Sequence, residues 1–251
     1  MHKFGIDIFA DGANSQEIIE CNKFSWIRGF TTNPTLMRKA GVKNYETFAK
    51  TVLRNIKDKP VSFEVFANDV KGMERQARII SSWGPNAVVK IPVTNTRGIF
   101  TGELIYKLLK SRIPVNITAV MTRKQVSNCV ESVPVCGTPC YISIFAGRIA
   151  DTGRDPIPTF TYGKNLIVAS GVNIKLIWAS VREIINIEHA ASTGCDIITV
   201  PGYFLKRMAV MLNKDLAEYS LETVKEFYAD ALSSKFTLKK PKGKVYLYGK
   251  V

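Results

Sequence analysis

Eight short apolar runs divide this chain at regular intervals. They are residues 3–9, 29–31, 61–65, 87–91, 114–117, 141–144, 176–178 and 196–200. Each is rich in β-branched or aromatic residues, and their starts lie about 20 to 35 residues apart. That interval holds one strand, one helix and two loops, and parallel strands need a crossover of this size. Helical periodicity fills the gaps. Over residues 44–56, Tyr45, Phe48, Val52 and Ile56 form one apolar stripe. Residues 69–82 open on Asp69 as a candidate cap and stop before Gly84-Pro85. Residues 181–192 and 220–234 carry further apolar stripes. Eight strands alternating with helices predict an α/β fold, a single-domain (β/α)8 or TIM barrel over residues 1–235. The basic segment 236–251, with Lys239-Lys-Pro-Lys-Gly-Lys244, reads as a C-terminal tail. An open doubly wound sheet is the competing architecture. The first strand-to-helix turn, Phe9-Ala-Asp-Gly-Ala-Asn14, lacks the dinucleotide-binding glycine pattern, and the chain has no P-loop.

One run poses a chemical question. In Ala87-Val-Val-Lys-Ile-Pro-Val93 a lone lysine, Lys90, stands among six apolar residues. A lysine can snorkel its head to water from a strand end. The alternative uses the burial, because desolvation disfavours an ammonium group and a neutral amine attacks carbonyls to form Schiff bases.

Barrel chemistry sits at the C-terminal ends of the strands, so the residues in and after each run carry weight. The first seven runs deliver Asp11, Asn33, Glu64, Lys90, Asn116 with Thr118, Ser143 with Phe145 and Arg148, and Ser180 with Arg182. Each has a plainer reading. Asp11 or Thr118 could cap a helix, Asn33-Pro34 could be a turn, Glu64 could face solvent from an edge strand, and Arg182 could be a solvated helix residue. Their convergence on one topological position favours a site.

Other chemistries find little support. The two histidines, His2 and His189, do not cluster, so no metal site and no histidine base are expected. No G-x-S-x-G motif occurs, and no cofactor is called for. Five scattered cysteines suggest free thiols in a reducing cytoplasm. No apolar run is long enough to span a membrane and no secretory leader is evident, so a cytoplasmic protein with no membrane partner is expected. The net charge of +14 admits nucleic-acid binding on a basic barrel as an alternative, though no helix-turn-helix, zinc-finger or RNP-like motif accompanies it. Attraction of an anionic, phosphorylated substrate is the other explanation.

The segments GFTTNPTL (29–36), VVKIPVT (88–94), VNIT (115–118), SIFAGRI (143–149), WASVRE (178–183) and STGCDIITVP (192–201) resemble the transaldolase family in order and spacing, over roughly residues 4–210. The resemblance implies Lys90 as the Schiff-base lysine and Asp11 as the acid–base aspartate. It implies that Glu64 and Thr118 hold a catalytic water, that Asn33, Asn116 and Ser143 bind the donor, and that Arg148, Ser180 and Arg182 bind its phosphate. The small fructose-6-phosphate aldolases tend to carry Gln at the Glu64 position and Tyr at the Phe145 position. Glu64 and Phe145 therefore resemble the transaldolase choice. The expected activity is transfer of a dihydroxyacetone unit between sugar phosphates, with aldolase-type cleavage to free dihydroxyacetone or a biosynthetic variant as alternatives. The expected partners are sugar phosphates and further copies of the chain, without nucleic acid.

Overall fold

The computed structural model describes residues 5–235. The strands are β1 (Asp7–Asp11), β2 (Ile27–Thr31), β3 (Val61–Glu64), β4 (Ala87–Pro92), β5 (Val115–Val120), β6 (Cys140–Phe145), β7 (Ile174–Ala179) and β8 (Ile197–Pro201). All pair in parallel with their sequence neighbours, and β8 closes on β1. The result is a (β/α)8 barrel. The helices are α1 (Ser15–Asn22), α2 (Pro34–Lys39), α3 (Tyr45–Asn55), α4 (Val70–Ser81), α5 (Gly102–Lys110), α6 (Arg123–Glu131), α7 (Ala146–Ala150), α8 (Ile157–Ser170), α9 (Asn186–Ser192), α10 (Gly202–Met211) and α11 (Leu216–Ser233).

The chain divides into two compact units, residues 1–208 and 209–251. All eight strands belong to the first. In the second, Asp215 caps α11 by accepting from the Ala217 and Glu218 amides. The basic tail predicted at 236–251 lies outside the described residues. No helix among the described residues is long and apolar enough to cross a membrane.

The helices start where local chemistry predicts. Asn44 and Asp69 cap α3 and α4 with their side chains, and Thr122 and Gln125 form a capping box on α6. Two expectations shift. The first strand runs from Asp7 to Asp11, with residues 3 and 4 of the expected run outside the described residues, so Asp11 is its last residue. The helix expected from Val181 begins only at Asn186. The Asn186 side-chain carbonyl accepts from the amides of Arg182 and Glu183, which holds that segment as a turn.

Strand residues alternate between the helix layer and the barrel interior, and the interior is stratified. Phe9, Val88, Tyr141, Ile177, Ala179 and Ile197 form a buried cluster of their own, with Phe145 packed against it. Gly29 makes room for it, since a Cβ there would come 2.5 Å from the Phe9 ring. Two residues further along the same faces stand Asp11 after Phe9, Lys90 after Val88, Ser143 after Tyr141 and Thr199 after Ile197. An apolar layer thus underlies a polar one at the C-terminal mouth.

Candidate active site

Lys90 is 5% exposed on β4. Its Nζ donates to the Thr32 carbonyl at 2.8 Å and lies 3.3 Å from the Glu64 carboxylate. The strand register explains the second contact, because Glu64 and Lys90 are direct partners across β3 and β4. The Tyr45 hydroxyl donates to the Glu64 backbone carbonyl at 2.8 Å, fixing the end of β3. The snorkelling alternative for Lys90 fails, since its head is held inside the barrel.

Asp11 faces the same interior. The Thr31 hydroxyl donates to its Oδ1 at 2.8 Å, and Asn33 Nδ2 approaches its Oδ2 at 3.4 Å. Burial pushes the Asp11 carboxyl above its ordinary range. The Lys90 charge and the Thr31 hydrogen bond pull it back, Glu64 pushes it up, and the Asn33 hydrogen bond pulls it down. Asp11 does not cap a helix, since Asn14 caps α1. Asn33 is more than a turn residue. Its Oδ1 accepts from the Leu36 amide and caps α2, with Pro34 in the first turn. That commitment leaves only its NH2 to face Asp11.

Asn116 is also locked. Its Oδ1 accepts from the Ser143 hydroxyl at 2.7 Å and its Nδ2 donates to Ser62 Oγ at 3.2 Å. Thr118 is buried, and its hydroxyl has no hydrogen-bond partner among the described residues. It caps no helix. The β5–β6 register breaks across it, between Ile117 and Val120, with Ala119 in the left-handed region at φ 62°. A buried hydroxyl without a partner is costly unless something binds there.

Arg148, Ser180 and Arg182 stand at the mouth rather than inside it. Arg148 is exposed on α7, its guanidinium 5.4 Å from the centre of the Phe145 ring. Arg182 is exposed in the loop after β7 and forks onto Asp151 through Nε at 3.1 Å and Nη2 at 2.7 Å. Its Nη1 lies 3.3 Å from the Ser180 carbonyl. Ser180 takes φ 64°. Gly147 permits this arrangement, because a Cβ there would lie 1.8 Å from the Ser180 carbonyl oxygen. The plainer reading of Arg182 as a helix residue is corrected, since it precedes α9.

The residues to which the sequence assigns no role are Thr31, Ser62, Asp151 and Thr199. The first two stand two positions before Asn33 and Glu64, so strand alternation could have found Thr31 on the same face as Gly29 and Ser62 on that of Glu64. The eighth strand, expected to deliver no polar group, delivers Thr199.

A buried amine beside carboxylates thus stands at the C-terminal mouth of a (β/α)8 barrel, the end at which barrel enzymes carry their active sites. The family model for transaldolase/fructose-6-phosphate aldolase matches residues 8–240, and the chain belongs to that family. It is 34% identical over 201 residues to a probable transaldolase of Dehalococcoides mccartyi, covering 80% of this chain and 89% of that one. It is 37% identical over 201 residues to a probable transaldolase of Thermoplasma volcanium, covering 79% and 86%. Among solved structures, dihydrodipicolinate synthase from Rhodopseudomonas palustris is similar with a TM-score of 0.53 and 16% identity, covering 91% of this chain and 80% of that one. That likeness concerns the fold alone.

Proposed function

We propose that the enzyme transfers a dihydroxyacetone unit from a ketose phosphate, fructose 6-phosphate or sedoheptulose 7-phosphate, to an aldose phosphate through a Schiff base on Lys90. The observation that carries this reading is the buried Lys90 Nζ within 3.3 Å of the Glu64 carboxylate. The neutral amine attacks the ketose C2 carbonyl, and loss of water gives the iminium. Asp11 takes the C4 hydroxyl proton, the C3–C4 bond breaks, and its electron pair passes into the iminium as an enamine. The first aldehyde departs. The enamine carbon then attacks the acceptor aldehyde, Asp11 returns the proton to the new hydroxyl, and water releases the product.

The remaining residues fit supporting roles. Glu64 and the unpartnered Thr118 hydroxyl hold water for iminium formation and hydrolysis. Asn33, Asn116 and Ser143 are pinned by their neighbours and present fixed donors and acceptors to the three-carbon unit. Phe145 carries Arg148, and Arg148, Ser180 and Arg182 receive the phosphate. Asp151 must yield part of the Arg182 fork to it. Glu64 and Phe145, in place of Gln and Tyr, favour transfer over cleavage.

Borohydride added with fructose 6-phosphate is expected to trap a covalent adduct at Lys90, read by intact mass and peptide mapping. An adduct at another lysine, or none, refutes the mechanism. The same assay with and without erythrose 4-phosphate separates transfer from cleavage, because free dihydroxyacetone released without acceptor marks an aldolase.

For the phosphate group, Arg182→Ala is expected to raise KM for phosphorylated donors by about 10- to 100-fold, the scale of one charged hydrogen-bonded pair. Reaction with unphosphorylated dihydroxyacetone donors should be little changed. Equal losses on both substrate types would remove Arg182 from the phosphate site.

A further inference from the structure

A chain of two hydroxyls stands behind Asp11. Thr31 on β2 and Thr199 on β8 are 2% and 5% exposed. The strands that carry them flank β1 on opposite sides, with Asp11 opposite Thr31 and Phe9 opposite Thr199. Both side chains turn into the barrel, and their hydroxyl oxygens meet at 2.5 Å. The Thr31 hydroxyl also reaches Asp11 Oδ1 at 2.8 Å. We infer that Thr199 is a positioning residue for the reaction, acting through Thr31 to keep hydrogen-bond donation directed at the Asp11 carboxylate. This role rests on the acid–base function proposed for Asp11.

The direction follows from proton counting. A hydroxyl has one proton to give. An ionised carboxylate only accepts, so the Thr31 proton points to Asp11. The contact between the two threonines must then be made by the Thr199 proton. The order is Thr199 to Thr31 to Asp11, and every proton has an acceptor. In the reverse order a protonated Asp11 donates to Thr31 and Thr31 donates to Thr199. The Thr199 proton then has no protein acceptor, because no other hydrogen bond of that hydroxyl exists among the described residues. Chained donors polarise one another, so the pair favours the carboxylate form and opposes the burial that disfavours it. The charged groups facing Asp11 are Lys90 from β4, which acts in the same sense, and Glu64 from β3, which acts against it. The hydroxyl chain lets a buried Asp11 still act as a base at moderate pH.

A purely structural threonine would behave differently. Valine matches its shape and is at least as good a strand former, so Thr199→Val should be harmless if only packing matters. The test is the pH dependence of kcat/KM with fructose 6-phosphate and erythrose 4-phosphate. Wild type, Thr199→Val, Thr199→Ser and Asp11→Asn are compared. Thr199→Ala, which lacks the hydroxyl and adds no bulk, is measured alongside in case valine impairs folding. The acid limb is expected to move up by about 0.5 to 1 pH unit in the valine and alanine variants, the scale of one hydrogen bond, and to stay in place in the serine variant. An acid limb at the wild-type position in folded valine and alanine variants, with Asp11→Asn inactive, overturns the role of Thr199 alone. Full activity in Asp11→Asn overturns the underlying assignment of Asp11 instead.

Discussion

Lys90→Met loses turnover by about 10,000-fold or more, the scale seen when a covalent nucleophile is removed, while the barrel stays folded. Methionine fills the same volume without the charge, and the core strand around it, Ala87 through Ile91, is buried and apolar on both sides of position 90. Circular dichroism and a thermal melt check the fold, and coupled release of the aldehyde product checks the activity. The loss should be the same at every substrate concentration, because the missing step is chemical. A variant that recovers at high substrate would show that Lys90 only binds. The Glu64 carboxylate loses its ion pair in this variant, so Lys90→Met with Glu64→Gln is the better-behaved control for folding.

Asp11→Asn is expected to be nearly inactive yet more stable than the wild type at neutral pH. The activity loss is about 100- to 10,000-fold, the range for one positioned acid–base group. The stability change follows from the raised carboxyl of Asp11, whose first cause is burial. In the unfolded chain an aspartate titrates at about 3.9. Between that pH and the higher folded value, the folded state holds a proton that the unfolded state has lost. Stability therefore falls as pH rises through this window, and the full cost remains above it. Asparagine carries no such cost at any pH. Its melting temperature should exceed that of wild type at pH 7, and the difference should vanish below about pH 4. A wild type that melts higher than the variant at pH 7 would refute this account of Asp11.

Much of this was legible in the sequence because barrels impose a strict order. Strand spacing gave the eight-fold repeat, and the polar residues at strand ends gave Asp11, Glu64, Lys90, Asn116 and Ser143. What was not legible has physical causes. Threonine is an ordinary strand former, and nothing in Asp196-Ile-Ile-Thr-Val-Pro201 distinguishes a working hydroxyl at Thr199 from a β-branched filler. Asp151 lies 31 positions from Arg182, and only the close approach of the loop after β7 to Gly147 brings them together. The start of α9 is hidden in the sequence because Val181, Ile184 and Ile185 continue an apolar pattern through residues that the Asn186 side chain holds in a turn. In β5, the strand extends past Ile117 to Val120, through Ala119 in a backbone conformation that L-residues seldom adopt.

The buried layer of Phe9, Val88, Tyr141, Ile177 and Ile197 has a kinetic corollary. It closes the barrel interior below the lysine and leaves the C-terminal mouth as the way in among the described residues. In the transfer proposed above, two sugars that share this mouth and its arginines must take turns. The departing aldehyde has to clear the entrance before its replacement can come in, and the carbon fragment has to wait meanwhile. Alternating, ping-pong turnover is then a matter of plumbing as much as of chemistry.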